Sequence, residues 1–153
     1  MKHSHCEHSK DAPEKQRQKK EEQEPASEIV TEVAPNVLRT QLPVNLPGLG
    51  HVNCYVLEDK KGIAVVDPGL PGDDSWLALE NRLQTAGFKI KNIHTVVVTH
   101  SHFDHFGAAD RIRENTGAHI LTHENFRNAF NRTEILENED SDALDPNSEE
   151  AQQ

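Results

Sequence analysis

The chain has 153 residues, 16 Lys and Arg against 26 Asp and Glu, and a formal net charge of −10. That length admits one domain with tails, and the acidic balance argues against broad nucleic-acid binding, which needs a basic surface to displace counterions from phosphates. The opening MKHSHCEHSK has no apolar stretch and no run of ~18 apolar residues follows, so neither a secretory signal nor a membrane span is expected; the cytoplasm is the default compartment, and two cysteines, Cys6 and Cys54, suit its reducing conditions.

In chain order, residues 1–28 contain no Val, Ile, Leu, Phe, Trp or Tyr, and six basic against seven acidic residues nearly cancel. Such a segment cannot bury enough apolar area to offset its conformational entropy, so it is expected to be a disordered His- and charge-rich tail. Its tract His3-Ser4-His5-Cys6-Glu7-His8 has the donors of a metal trap but no scaffold to fix a geometry, and reads as an incidental tail. Residues 29–130 hold nearly all the apolar side chains and form the expected folded unit. Short strands are predicted over 29–33 and 37–40, then a loop marked by Pro43, Pro47, Gly48 and Gly50. A hairpin follows, 52–57 with 63–66 across the polar turn Glu58 to Gly62. After Asp67-Pro68-Gly69 a helix is predicted with Asp73 or Asp74 as its N-cap, Trp76, Leu79, Leu83 and Ala86 on one face, and Gly87 at its end. Residues 93–99 form an apolar strand whose unbroken Val96-Val97-Val98 implies cover on both faces. A helix over 106–115, a short strand over 119–122 and a helix from Glu124 complete a layered α/β unit with helices over one sheet face. Residues 131–153, eight acidic against one basic, read as an acidic linker or tail.

The chemistry concentrates where the apolar strand ends, in Thr99-His100-Ser101-His102-Phe103-Asp104-His105-Phe106-Gly107. Imidazole nitrogen and carboxylate oxygen are the donors that borderline divalent metals accept. In an extended segment residues i and i+2 project to one side, so His100 and His102 can grip one ion, while Asp104 and His105, redirected by the turn into the next helix, can reach a second. Gly107 lets the following backbone approach closely. The isolated histidines His51, His94, His119 and His123 read as ordinary surface residues.

At these positions the sequence resembles the metallo-β-lactamase superfamily: H-x-H-x-D-H is complete as His100, His102, Asp104 and His105, Asp67-Pro68-Gly69 matches the D-x-G turn after an apolar strand, and the run Gly50 to Leu57 resembles the early strand of glyoxalase-II-like members. The resemblance implies the N-terminal half of a four-layer αββα sandwich with a hydrolytic metal site at a sheet edge. It implies His100 and His102 as ligands of a first zinc, Asp104 and His105 of a second, Asp104 also handling the proton of a bridging water, and Asp67 as a carboxylate that orients a ligand or the loop. The bland alternative for Asp67 is an ordinary turn cap before Pro68 and Gly69.

Zinc is the expected cofactor, two ions per complete site, with iron or manganese as alternatives; the substrate is expected to be a small molecule carrying a thioester, ester, lactone or phosphoester. Two ions sharing a water need about six protein ligands, and the motif supplies four, so the chain is expected to be a truncated N-terminal part. The competing expectation is a non-catalytic metal-binding or interaction module, and within the enzymes a mononuclear iron oxygenase of the same fold. Oligomeric state is left open.

Overall fold

The structure, a computed structural model, describes residues 20–127. Six strands form one mixed sheet in sequence order: β1 (Thr31–Ala34), β2 (Val37–Leu46), β3 (Leu49–Asp59), β4 (Gly62–Val66), β5 (Ile93–Val97) and β6 (His119–Leu121). The first four pair antiparallel, while β5 and β6 run parallel to β4. Parallel neighbours require crossovers, supplied by α1 (Asp73–Thr85) and then by α2 (Phe103–Phe106) with α3 (Ala109–Thr116). This is the expected α/β class, and the sheet and helices enclose one apolar core that includes Leu42, Cys54, Val65 and Val96 from strands and Leu79, Leu83 and Ile112 from helices.

Several local expectations are corrected. The predicted loop over Pro43 to Gly50 is a long β2–β3 hairpin: Pro43 pairs with His51, and Pro47-Gly48 makes the turn, with Gly48 at φ 80°. Pro43 is tolerated because β1 pairs only as far as Arg39, so the edge of β2 facing away from β3 has no strand there to receive the missing N–H. The N-cap of α1 is Gly72, with Asp73 and Asp74 inside the first turn where their charge meets the positive end of the helix dipole. The helix predicted over 106–115 starts later, as α3 at Ala109, and the short α2 over Phe103–Phe106, separated from it by Gly107-Ala108, has no counterpart among the predicted elements. Glu124 begins a turn, and the part of its predicted helix beyond residue 127 lies outside the described residues. Within 20–28, assigned above to the tail, Glu21–Gln23 makes a 3-10 turn, the carbonyl oxygen of Glu24 meets His51 Nδ1 at 2.8 Å, and the Ser27 amide donates to Gln41 Oε1 at 2.8 Å. His51 is therefore a buried residue under this segment, 2% exposed, and not the surface histidine its isolation suggested.

Cover on both faces of β5 is also corrected. Its core-facing Val96 is fully buried, but Thr95 and Val97 on the other side, with Tyr55, Leu57, Ala64 and Val66 on neighbouring strands, are only half-buried, and Leu121 is 57% exposed. Among the described residues the helices therefore cover one face.

Candidate metal centre

Because β4 and β5 are parallel neighbours, their carboxyl ends coincide, and this is where α/β sheets place binding sites. The Asp67 amide continues the ladder by donating to the Val97 carbonyl at 3.0 Å, and the backbone then turns through φ 53°, a left-handed value that aspartate tolerates better than most residues. The Asp67 carboxylate, 6% exposed, is thereby aimed at the chain leaving β5. Its Oδ1 accepts the Thr99 amide at 2.9 Å, and its Oδ2 accepts the Thr99 hydroxyl at 2.6 Å and lies 2.9 Å from His105 Nδ1. These contacts, none of them to the Pro68-Gly69 turn, join the two strand ends.

The donor chemistry fixes more than position. An ionised carboxylate only accepts, so His105 must carry its proton on Nδ1, which leaves an electron pair on Nε2 in the neutral ring. Thr99 spends its hydroxyl proton on Asp67, so the 2.9 Å contact between Thr99 Oγ1 and His100 Nδ1 requires Nδ1 of His100 to donate as well. One buried carboxylate thus sets both imidazoles in the form whose Nε2 can bind a metal, the arrangement by which outer partners orient metal-bound histidines. Burial, and then the neighbouring His105 and His102, hold the His100 imidazole below its ordinary value, against the opposing pull of Asp67 and Asp104. A histidine so shifted offers its electron pair to lower pH than usual.

His100 and His105 lie with ring centroids 4.0 Å apart, and Asp67, His100 and His105 each offer a ligand atom within 4.8 Å of the others. His102 sits beside them, its ring 4.6 Å from that of His100 and 6.5 Å from that of His105. The pairing by alternation is thus overlaid by a second one: His102 is the N-cap of α2, and the helical turn that starts there brings His105 back towards His100. Asp104 Oδ2 lies 3.4 Å from His105 Nε2. Two electron-pair donors this close repel unless a proton or a cation lies between them, so the donor set fits a divalent ion. The loop is held from behind. The Ala108 amide donates to the Gly69 carbonyl at 3.2 Å, and a side chain at Gly107 would overlap Pro71, so the two halves of the site approach at backbone distance. Beside His100 a cleft of about 460 Å³ is lined by Thr99, His123, Phe126 and Arg127, among others.

Sequence reasoning missed Thr99 as the relay between Asp67 and His100. The signal was a hydroxyl residue directly before His100, at the end of a strand that could pair beside the one ending in Asp67.

Residues 47–148 match the profile of the metallo-beta-lactamase superfamily, and the chain belongs to that superfamily. It is 35% identical over 78 residues to a hydroxyacylglutathione hydrolase of Pseudomonas putida, a match covering 49% of this chain and 27% of that protein. It is 31% identical over 68 residues to an uncharacterized protein of Bacillus subtilis, covering 44% of this chain and again 27% of the relative. Among solved structures, a metallo-beta-lactamase family protein from Thermus thermophilus superposes with a TM-score of 0.57 at 29% identity, covering 61% of this chain and 30% of that one. The metallo-beta-lactamase GOB-18 from Elizabethkingia meningoseptica shares the fold, with a TM-score of 0.51 at 23% identity over 73% of this chain and 38% of its own. The chain thus spans about a quarter of the length of the curated relatives it matches. No helix among the described residues is long and apolar enough to cross a membrane.

Proposed function

We propose that this chain carries the His-rich ligand segment of a metal-dependent hydrolase that cleaves a small thioester, with zinc as the metal; an ester, lactone or phosphoester is the next substrate class. The observation that carries the reading is the chain of contacts from Asp67 through Thr99 to His100 and directly to His105, which prepares two Nε2 atoms for a cation. The hydroxyacylglutathione hydrolase among its relatives favours the thioester. A bound divalent ion would supply Lewis acidity and a water acidic enough to attack a carbonyl near neutral pH.

His100 and His105 would hold the ion, with His102 and Asp104 as the adjoining donors of the same segment. Asp67 and Thr99 would fix the rings, and Asp104 Oδ2 would take the proton from an attacking water. The cleft beside His100 would seat the substrate. The cytoplasm is the compartment proposed for this activity.

The test is zinc stoichiometry of the purified chain, followed by hydrolysis of S-lactoylglutathione against nitrocefin, both on this chain and on one extended through the downstream reading frame. Zinc bound in the unmodified chain and lost in His100→Ala plus His105→Ala supports the site, and thioester cleavage without nitrocefin cleavage supports the substrate class. An extended protein that binds no zinc overturns the proposal. Zinc bound by both forms with neither substrate cleaved favours the non-catalytic metal-binding module.

A further inference from the structure

We propose that a second site, away from the metal centre, binds a small organic monocarboxylate with an apolar body, using Arg82 as its anchor. Arg82 lies on α1, only 7% exposed, and its Nε is buried without a hydrogen-bond partner among the described residues. No carboxylate among those residues comes within ion-pair distance of its guanidinium. Charged side chains are rarely this buried unless paired, because an uncompensated charge loses its hydration for nothing in return. Arginine does not escape the cost by shedding its proton, as a lysine can.

Arg82 forms part of the wall of a cavity of about 660 Å³, bounded by α1, the β2–β3 hairpin and the segment 23–28. That volume is in the range of small-molecule sites. The chemistry of the wall narrows the ligand. Asn45 and Asn81 line the same cavity and add neutral donors, which suits the two oxygens of a carboxylate. Leu46 and Leu77, which are 53% and 55% exposed, supply apolar surface on the same cavity, a place for a short hydrocarbon body. Glu28 and Asp74 also line it, so a single cation faces two acidic groups. Each negative charge on a ligand is opposed by that pair, so a phosphate dianion is disfavoured more than a monocarboxylate, which meets Arg82 with the least added repulsion. The lining includes neither Asp67 nor any residue of 99–105, so occupancy does not depend on the metal.

The test uses the 153-residue chain in EDTA, so that the metal centre takes no part, with hexanoate, hexanol and inorganic phosphate as probes. Binding is read by calorimetry and by the thermal midpoint. The expected result is saturable hexanoate binding with a raised midpoint, and binding at least about tenfold weaker for hexanol, for phosphate, and for hexanoate on Arg82→Met, as loss of a charge-assisted hydrogen bond implies. The Nε–H resonance of Arg82 in the unmodified chain, followed by NMR, is expected to move with hexanoate and not with hexanol; this readout needs no variant to fold. A stationary resonance at hexanoate concentrations that raise the midpoint, unchanged hexanoate affinity in Arg82→Met, or phosphate binding more tightly than hexanoate would each overturn the proposal. So would a chain that responds to none of the three probes.

Discussion

The helix-covered face of the sheet and the carboxyl ends of β4 and β5 are built from opposite materials. On the covered face Leu79, Leu83, Val65, Val96 and Ile112 are fully buried, and what they contribute is volume and dryness. At the strand ends His100 and His102 are exposed, and what matters is which atom carries a proton: Asp67 accepts, Thr99 relays, and two imidazoles are left with Nε2 available. The first region should respond to lost methyl groups and ignore hydrogen-bond chemistry, and the second should do the reverse. A core residue and a network residue can therefore be separated by measuring stability and zinc affinity on the same variants.

The largest effect is expected at Leu79, fully buried on α1. Leu79→Ala should cost about 2–5 kcal/mol of unfolding free energy through lost burial and the cavity left behind, measured by urea denaturation, while zinc affinity per folded molecule stays unchanged. If affinity falls with stability, the two regions are not independent. Next comes Asp67→Asn, which replaces one acceptor oxygen by an amide that cannot accept from Thr99 or His105. Zinc affinity should fall roughly 10–100-fold, the usual consequence of removing a group that orients a metal-bound histidine, with a smaller loss of stability than Leu79→Ala. Unaltered zinc affinity would show that Asp67 is a fastener of two strand ends and nothing more. Thr99→Val, which keeps shape and removes the relay, should cost up to about tenfold, because His105 keeps its direct contact with Asp67. Competition with a chromophoric chelator resolves all three.

The difference between the regions also explains what could be read in advance. The core was legible because apolar period and burial share one pattern: of the four residues assigned to the inner face of α1, Trp76, Leu79 and Leu83 are buried there, while Ala86 is its half-buried C-cap. The motif residues His100 to His105 were legible because their chemistry is local, six consecutive positions at a strand end. The Asp67–Thr99 contact was not, since it joins residues 32 positions apart and exists only if β4 and β5 pair in parallel, a fact no short window contains. Pro43 and Gly50 misled for the reverse reason. Locally they signal a loop, but Pro43 stands where β2 lacks a second partner, and Gly50 is required because the Glu24 backbone lies where a side chain would go. The helix predicted from Phe106 starts only at Ala109, and the close contact of Gly107 with Pro71 depends on the turn after β4, again outside the window. The buried Arg82 carried no sequence signal, because an arginine at that helical spacing reads as solvated until the hairpin and the segment 23–28 close over it.

One electrostatic thread crosses between the two regions, and it yields the smallest effect. Cys54, fully buried on β3, has its thiol pushed up from an ordinary 9.0 to about 12, first by burial and then by the negative charge of Asp67. Above pH 9 the unfolded chain releases the thiol proton while the folded chain keeps it, so stability falls as pH rises from about 9 towards 12. The slope from this one group is at most about 1.4 kcal/mol per pH step. Urea midpoints at pH 8, 9.5, 10.5 and 11.5 should show the decline in the unmodified chain and lose part of it in Cys54→Ala, whose own cost is independent of pH. In Asp67→Asn the charge contribution disappears and only burial remains, so the decline should keep its slope and end at lower pH. Curves that still coincide at pH 11.5 in the unmodified chain and in Asp67→Asn would mean that the site's carboxylate is electrically invisible to the core, and the separation between the two regions would then be complete.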